Sequence, residues 1–224
     1  KHAEKIPGKR SPSRNRILCV WNHCAFAVDL SAVLARQGKS VLLIDADLLA
    51  PGVDLLLELK HSAGKAENGV FGGNPLAELM EESAKRKLSP ETIRLFAKPA
   101  SIEGLSCICG NYRMEDYEYY STESLVDMIR TACAGFDFVV VSCGKFIYDE
   151  FTCAAQICAD RILVPVVANH LQFREFNRYI HFLSGRKQLE REKIAFIGYD
   201  YMPNEDLSYG TCDELCGGLF FGTV

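Results

Sequence analysis

The chain has 224 residues, of which 48% are hydrophobic and 24% are charged, a composition typical of a globular domain. Its formal net charge of −4 argues against nucleic-acid binding driven by overall charge. No apolar run approaches the roughly 18 residues that a membrane-spanning helix requires, and no secretory leader is visible.

Strands and helices alternate along the sequence. The first predicted elements are a strand over 17–21, a helix over 25–37 that ends at Gly38, and a strand over 39–45. Further helices are predicted over 53–59, 74–87, 89–98, 121–134, 150–159 and 171–183, and further strands over 105–109, 136–142, 161–167, 194–198 and 219–222. This alternation predicts an α/β fold, a three-layer sandwich around a mostly parallel, doubly wound, Rossmann-like sheet.

The two ends of the chain differ from the region between them. Residues 1–16 are polar, basic and rich in Ser, Pro and Gly, so we interpret them as a linker or tail that follows another domain. Residues 17–224 form the predicted α/β domain, within which 60–73 is a charged, glycine-bearing loop. The last predicted strand is not followed by a helix, so we expect the domain to be truncated at its C-terminus.

Two carboxylates follow the second strand at the point where it ends. Val41–Ile44 is an unbroken apolar run, as expected for a strand that is buried on both faces of a parallel sheet. Asp45 and Asp47 come next, and Pro51 and Gly52 break the chain before the next helical segment. Ligands of open α/β sheets bind at the carboxyl ends of the strands, so this edge is the predicted ligand site.

Ten cysteines occur in the chain, and several lie in or beside apolar runs, where cysteine behaves as a small hydrophobe: Cys19, Cys107, Cys109, Cys143 and Cys153. The chain has no CxxC pair and no zinc-type spacing of cysteines. This pattern argues against a metal site or a disulfide framework and favours a reducing cytoplasm.

Three stretches carry a resemblance to a known family, and the strand over 161–167 is one of them. The pattern LAxxGKxVLLIDxDxxAPG at residues 34–52 resembles the first strand–helix–strand unit of the ParA/MinD superfamily of deviant P-loop ATPases. FDFVVV at 136–141 resembles a later strand of the same superfamily. The insert over 60–120 is similar to that of the pilus-assembly branch, the TadZ/CpaE-type proteins, in which paired helices also precede the next strand. The resemblance covers most of the chain from about residue 16 onward and implies a P-loop NTPase-like fold.

The residues that bind nucleotide in such proteins are missing. A phosphate-binding loop needs glycines whose amides approach the phosphates, a lysine for the β- and γ-phosphates and a hydroxyl for magnesium. Asn22-His23-Cys24-Ala25 stands there instead, several residues short of the roughly eight-residue motif. Ser142 stands where the resemblance implies an aspartate that orients magnesium, and Gly198-Tyr199-Asp200 replaces an asparagine that reads adenine. These losses predict a degenerate, non-hydrolysing member.

The candidate site residues follow from the same comparison. Asp45 and Asp47 match an acidic pair that contacts magnesium or the attacking water, and they are vestigial catalytic candidates. The simpler interpretation, and the one we expect, is that they are inherited carboxylates that cap a turn and stay solvated. The candidate cofactor-binding residues flank the missing loop and follow the later strand: Asn22, His23, Cys24, Ser142, Gly144 and Lys145. No metal ligand is predicted. His23 and Lys145 could each hold an anion, but a surface side chain without a role is the simpler interpretation of both.

Two further features, an acidic aromatic segment and a histidine, are each compatible with more than one role. Residues 115–120 are acidic and aromatic, and they predict either a partner-docking surface or a loop packed on the edge of the sheet. His170 follows a predicted strand and lies near the expected ligand edge, although a single histidine is weak evidence of a site.

Three functions are compatible with these residues, and we expect the first. It is a localisation or assembly scaffold without ATP turnover or a cofactor. The resemblance to the pilus-assembly branch implies a bacterial cytoplasmic protein, peripheral at the inner membrane face. It would act through protein partners or as a homodimer, with indirect membrane association and no direct nucleic-acid binding. The alternative is an ATP-binding, slowly hydrolysing ATPase with an atypical loop, which would use ATP and magnesium. A redox or metal protein that uses the cysteines is a third reading, disfavoured by their spacing.

Overall fold

The computed structural model describes residues 16–59, 74–111, 114–186 and 189–224, so the predicted linker up to residue 15 and the predicted loop over 60–73 lie outside it. The α-helices are α1 (Cys24–Arg36), α2 (Val53–Leu56), α3 (Pro75–Ala84), α4 (Pro90–Phe96), α5 (Thr122–Gly135), α6 (Glu150–Cys158), α7 (His170–Arg186) and α8 (Tyr209–Cys216). The β-strands are β1 (Ile17–Trp21), β2 (Val41–Asp45), β3 (Lys98–Pro99), β4 (Leu105–Ile108), β5 (Phe138–Cys143), β6 (Arg161–Val166), β7 (Ile194–Gly198) and β8 (Phe220–Thr223). Two 3₁₀ segments span Met114–Tyr119 and Arg191–Lys193.

An eight-stranded sheet forms the centre of the described structure, in the order β3-β4-β2-β5-β1-β6-β7-β8. Every neighbouring pair is parallel except β3 and β4. The chain runs outward from β1 to β2 and β4, inserts β5 between β2 and β1, and then adds β6 to β8 on the other side. This doubly wound arrangement confirms the predicted fold class.

Helices cover both faces of the sheet and complete the three layers. On one face, Val20 and Leu43 pack in a core with Phe26 of α1. The opposite face holds a larger core, in which Ile44 joins Phe176 of α7 and apolar residues of α3, α4, α5, α6 and α8. Sheet residues alternate between the two cores, as the period of two along a strand requires. Among the described residues, no helix is both long enough and apolar enough to cross a bilayer.

Some predicted boundaries are wrong, and one strand and one α-helix are absent from the sequence-based prediction. The second helix ends at Leu56, and Glu58 just beyond it has a φ of 52°. The antiparallel strand β3 replaces the end of the predicted helix over 89–98. Helix α8 was not predicted, although Ser208 caps its N-terminus and Gly217, with a φ of 66°, ends it.

Candidate functional site

The candidate residues from three parts of the chain meet at the carboxyl edge of the sheet. Trp21 of β1 lies opposite Cys143 of β5, and Asp45 of β2 lies opposite Ser142 of β5. Just beyond the strand ends, the N–H of Asn22 donates to the carbonyl of Cys143 at 2.8 Å. The predicted residues therefore form one group at the place where β5 enters between β2 and β1, where open α/β sheets bind their ligands.

The connection between β1 and α1 consists of Asn22 and His23. Asn22 has a left-handed φ of 63°, which turns the chain directly into the helix. His23 caps the helix, because its Nδ1 accepts a hydrogen bond from the N–H of Phe26 at 3.1 Å. That amide is one of the first-turn donors that an anion would use at a helix N-terminus. The connection supplies no run of loop amides that could surround a phosphate.

The surroundings of His23 favour a neutral imidazole. Its ring meets that of Tyr199 edge to face, with centroids 4.3 Å apart. Burial lowers the pKa of His23, and the cap requires an unprotonated Nδ1. Both effects favour the neutral imidazole at pH 7, so His23 serves as a helix cap and contributes little positive charge to the edge.

Asp45 is used to hold the turn that follows β2. Its side chain is 1% exposed. Oδ2 accepts hydrogen bonds from the N–H groups of Gly52 at 2.8 Å and Val53 at 3.0 Å, and Oδ1 accepts one from Asp47 at 3.3 Å. Burial raises the pKa of Asp45 to about 6, against the opposing effect of these hydrogen bonds. The carboxylate thus stays buried instead of solvated.

Asp47 holds the same turn from its other end. Its Oδ1 accepts hydrogen bonds from the N–H groups of Leu49 at 3.1 Å and Ala50 at 3.0 Å. The carboxylate lies directly against Gly144, where an added Cβ would come within 2.8 Å of Asp47 Oδ1. Gly110 has an equivalent role that the sequence analysis missed, since a Cβ there would overlap the ring of Pro51. Glycine is required at both positions because the acidic turn packs on the ends of β4 and β5.

Cys24 fills the space between the turn and β5. Its thiol lies near Ser142, and its Sγ lies 3.8 Å from the position of a Cβ on Gly52. Burial, together with the nearby carboxylate of Asp45, raises the pKa of Cys24 to about 12. A thiol at a helix N-terminus is often activated, but here the surroundings keep it protonated and unreactive.

Lys145 points to α7. Its Nζ lies 2.8 Å from each of the two carboxylate oxygens of Glu175. Glu175 also accepts a hydrogen bond from the hydroxyl of Tyr179 at 2.8 Å, and these partners lower the pKa of Glu175. The lysine charge is therefore matched by a neighbouring carboxylate instead of facing Asp45 and Asp47.

The residues at this edge do not fit a magnesium-bound triphosphate. Among the described residues, the hydrogen bonds to Asp45 and Asp47 all come from backbone amides. Phosphoryl transfer depends on amide and cationic donors around the phosphates and on oxygen ligands for the metal. Here three of the four carboxylate oxygens of Asp45 and Asp47 already accept amide hydrogen bonds, Lys145 is paired with Glu175, and an approaching polyanion would meet two carboxylates.

The described part of the acidic aromatic segment is a packed loop. The hydroxyl of Tyr117 donates to the carbonyl of Asn111 at 2.9 Å, and the ring of Tyr120 stacks on Phe151 with centroids 5.9 Å apart. Asn111, only 1% exposed, donates from Nδ2 to Asp116 Oδ2 at 2.8 Å. These contacts favour the second of the two interpretations of this segment.

The cysteines are free thiols with raised pKa values where a shift is resolved. Cys19 and Cys143 approach within 3.4 Å between their sulfur atoms, in the core of the sheet. Among the described residues, no group of three or more His, Cys, Asp or Glu side chains is arranged to hold a metal ion. Burial of these thiols argues for a packing role.

No family model matches this sequence, and no curated protein sequence matches it. Solved structures do match the fold. A ParA family ATPase from Chlorobium tepidum TLS gives a TM-score of 0.73 at 14% identity, covering 93% of this chain and 84% of that one. The septum site-determining protein MinD from Pyrococcus horikoshii OT3, complexed with Mg-ADP, gives 0.69 at 14% identity, covering 93% and 80%. A chain of the MinC:MinD cell division protein complex from Aquifex aeolicus gives 0.65 at 16% identity, covering 92% and 80%. The chain therefore has the fold of the ParA/MinD ATPases.

Proposed function

We propose that this chain is a ParA/MinD-like scaffold that acts in localisation or assembly without binding or hydrolysing ATP. The strongest support is that the acidic pair already binds the backbone of the protein itself. Asp45 and Asp47 bind the backbone of the turn that follows β2, with five amide hydrogen bonds between 2.8 and 3.3 Å. An ATPase of this fold needs the same edge for phosphate and metal.

The geometry also supports a fixed surface in place of a nucleotide switch. A γ-phosphate switch works when loops reorganise around the phosphate and its metal. In this chain, Asn22 is bonded to Cys143, and Asp47 packs on Gly144, so the segments after β1, β2 and β5 already contact one another. The edge is held together by the protein alone, as expected for a scaffold that is always competent.

The scaffold would act through protein partners or as a nucleotide-independent homodimer. The Aquifex aeolicus protein with this fold is found in a complex with MinC, which supports partner binding as a mode of action. The paired helices α3 and α4 between β2 and β4 support our finer proposal, a role in bacterial pilus or secretion assembly. In that role the protein would be cytoplasmic and would reach the inner membrane face through its partners, without direct contact to nucleic acid.

Thermal unfolding with nucleotide tests this proposal. A ligand that binds the folded state at a hundred times its dissociation constant adds about 2.7 kcal/mol of stability. We expect no rise in melting temperature with millimolar ATP or ADP in the presence of magnesium. Light scattering should give the same molar mass with and without nucleotide. A rise in melting temperature, or a nucleotide-dependent dimer, would overturn the proposal.

A second candidate function is ATP binding through an atypical loop. It is favoured by Asp47, which lies at the expected edge of the sheet and is partly exposed. Under this alternative, Asp47→Ala should weaken nucleotide binding, and so should Lys145→Ala. Lys193→Ala, which removes a lysine paired with Glu190 on a distant 3₁₀ segment, is the matched control and should not. A scaffold without nucleotide would leave all three variants indistinguishable in this assay.

A further inference from the structure

A groove of about 900 Å³ lies between α7 and α8, and its lining shares no residue with the candidate site. Its walls carry four basic side chains and two leucines: His170, Arg174, Arg178, His181, Leu171 and Leu215. The Nδ2 of Asn177, also in the wall, donates to the carbonyl of Leu215 at 2.7 Å and joins the two helices. We call this feature the α7–α8 groove.

Helical spacing places the basic residues of the groove in one row along α7. The buried stripe of α7, which includes Phe173, Phe176 and Ile180, packs on the sheet. Basic residues recur on the outer surface every three or four positions from His170 to His181, and each is exposed. At about 1.5 Å per residue, this row of basic residues extends over about 16 Å.

The positive charge of this row contrasts with the formal net charge of −4 of the whole chain. The described lining of the groove contains no acidic residue. The side chains of Arg174 and Arg178 form no hydrogen bond or ion pair with the part of the chain that the structure describes. Glu175, which lies beside them in an adjoining pocket, is already bound by Lys145 and Tyr179. The two guanidinium groups are therefore available for carboxylates of another molecule.

We propose that the α7–α8 groove docks an acidic, amphipathic segment of a protein partner. Successive basic residues are about 6 Å apart along the helix axis, the spacing at which a partner helix presents Glu residues four positions apart. Arginine pairs with carboxylates through two parallel hydrogen bonds. Leu171 is 64% exposed, which provides an apolar contact that a phosphate backbone would not use. The proposal is independent of whether nucleotide binds at the sheet edge.

The probe is a fluorescein-labelled helical peptide with Glu at every fourth position and Leu beside each Glu. Its length of about 12 residues is enough to cover the row of basic residues. Fluorescence anisotropy measures its binding to the full chain. The double variant Arg174→Gln/Arg178→Gln should raise the dissociation constant about tenfold or more, and Leu171→Ser about threefold. The control variant Arg36→Gln/Arg130→Gln removes two exposed arginines from α1 and α5 and should bind like the wild type.

Two comparisons keep the test independent of folding. A peptide with Gln in place of every Glu should bind the wild type at least about tenfold more weakly, because it lacks the carboxylates. The charge-retaining variant Arg174→Lys/Arg178→Lys should recover part of the lost affinity. Equal binding of the Glu and Gln peptides would overturn the proposal, as would equal losses in the groove and control variants. Groove-dependent binding of duplex DNA or phosphatidylserine vesicles, without binding of the acidic peptide, would also overturn it.

Discussion

The carboxyl group of Asp45 determines how the stability of this protein should depend on pH. Burial raises its pKa from the ordinary 3.8 to about 6. The folded protein therefore holds the proton more tightly than the unfolded chain. The resulting stabilisation is complete below pH 3.8 and is lost as the pH rises through about 6. The full interval corresponds to about 3 kcal/mol at 1.36 kcal/mol per pKa unit.

Asp45→Asn removes this proton equilibrium. The amide keeps an oxygen for the N–H groups of Gly52 and Val53, and it loses the acceptor for the N–H of Asp47, at a cost of about 1 kcal/mol at every pH. We expect the free energy of unfolding of the variant, relative to the wild type, to increase by about 2 kcal/mol between pH 4.5 and pH 8.

Urea unfolding at the two pH values measures this difference, with the fluorescence of Trp21 as the signal. Trp21 is the single tryptophan of the chain and is fully buried. Asp137→Asn is the matched control: hydrogen bonds from Ser40 lower the pKa of Asp137 below 3.8, so its relative stability should stay constant over this interval. A constant or decreasing difference for Asp45→Asn would refute the reasoning, because it would mean that this carboxylate is hydrated or faces a cation.

Three more predictions follow from the same edge. Gly144→Ala should cost about 1–2 kcal/mol of stability, and about 1 kcal/mol less in an Asp47→Ala background, which a double-mutant cycle by urea unfolding measures; additive effects would contradict the contact. His23→Ala should cost about 1 kcal/mol through the lost cap on Phe26, while His23→Asn should retain most of it; equal losses would exclude capping. Cys24 should react with Ellman's reagent at pH 8 far more slowly in the native protein than in urea, as mass spectrometry of the labelled peptides would show; rapid native labelling would argue for a reactive thiol.

The sequence was sufficient to place the candidate residues at one edge. An unbroken apolar run such as Val41–Ile44 is typical of a strand that is buried on both faces, and parallel strands bring their carboxyl ends together. Asp45, Ser142 and Asn22 could therefore be assigned to one edge of the sheet before any contact was known, and the register of β1, β2 and β5 agrees.

The internal bonding of the edge could not be predicted in the same way. The expectation that Asp45 and Asp47 stay solvated depended on local sequence, whereas burial of Asp45 comes from the packing of the 47–53 turn against β4 and β5. The contact between Gly110 and Pro51 joins residues far apart in the chain, so no local pattern signals it. Helix α8 is different, because Ser208 and Gly217 are ordinary start and stop signals of a helix and are visible in the sequence.

The most direct measurement of the central claim is calorimetric titration of the purified chain with ATP and with ADP, both with magnesium present. The account predicts no saturable heat up to millimolar nucleotide, since the carboxylates at the edge already bind backbone amides and only Asn22 and His23 connect β1 to α1. Saturable binding with a stoichiometry near one would contradict it. Asp47 and Lys145 would then be the first candidates for nucleotide-binding residues.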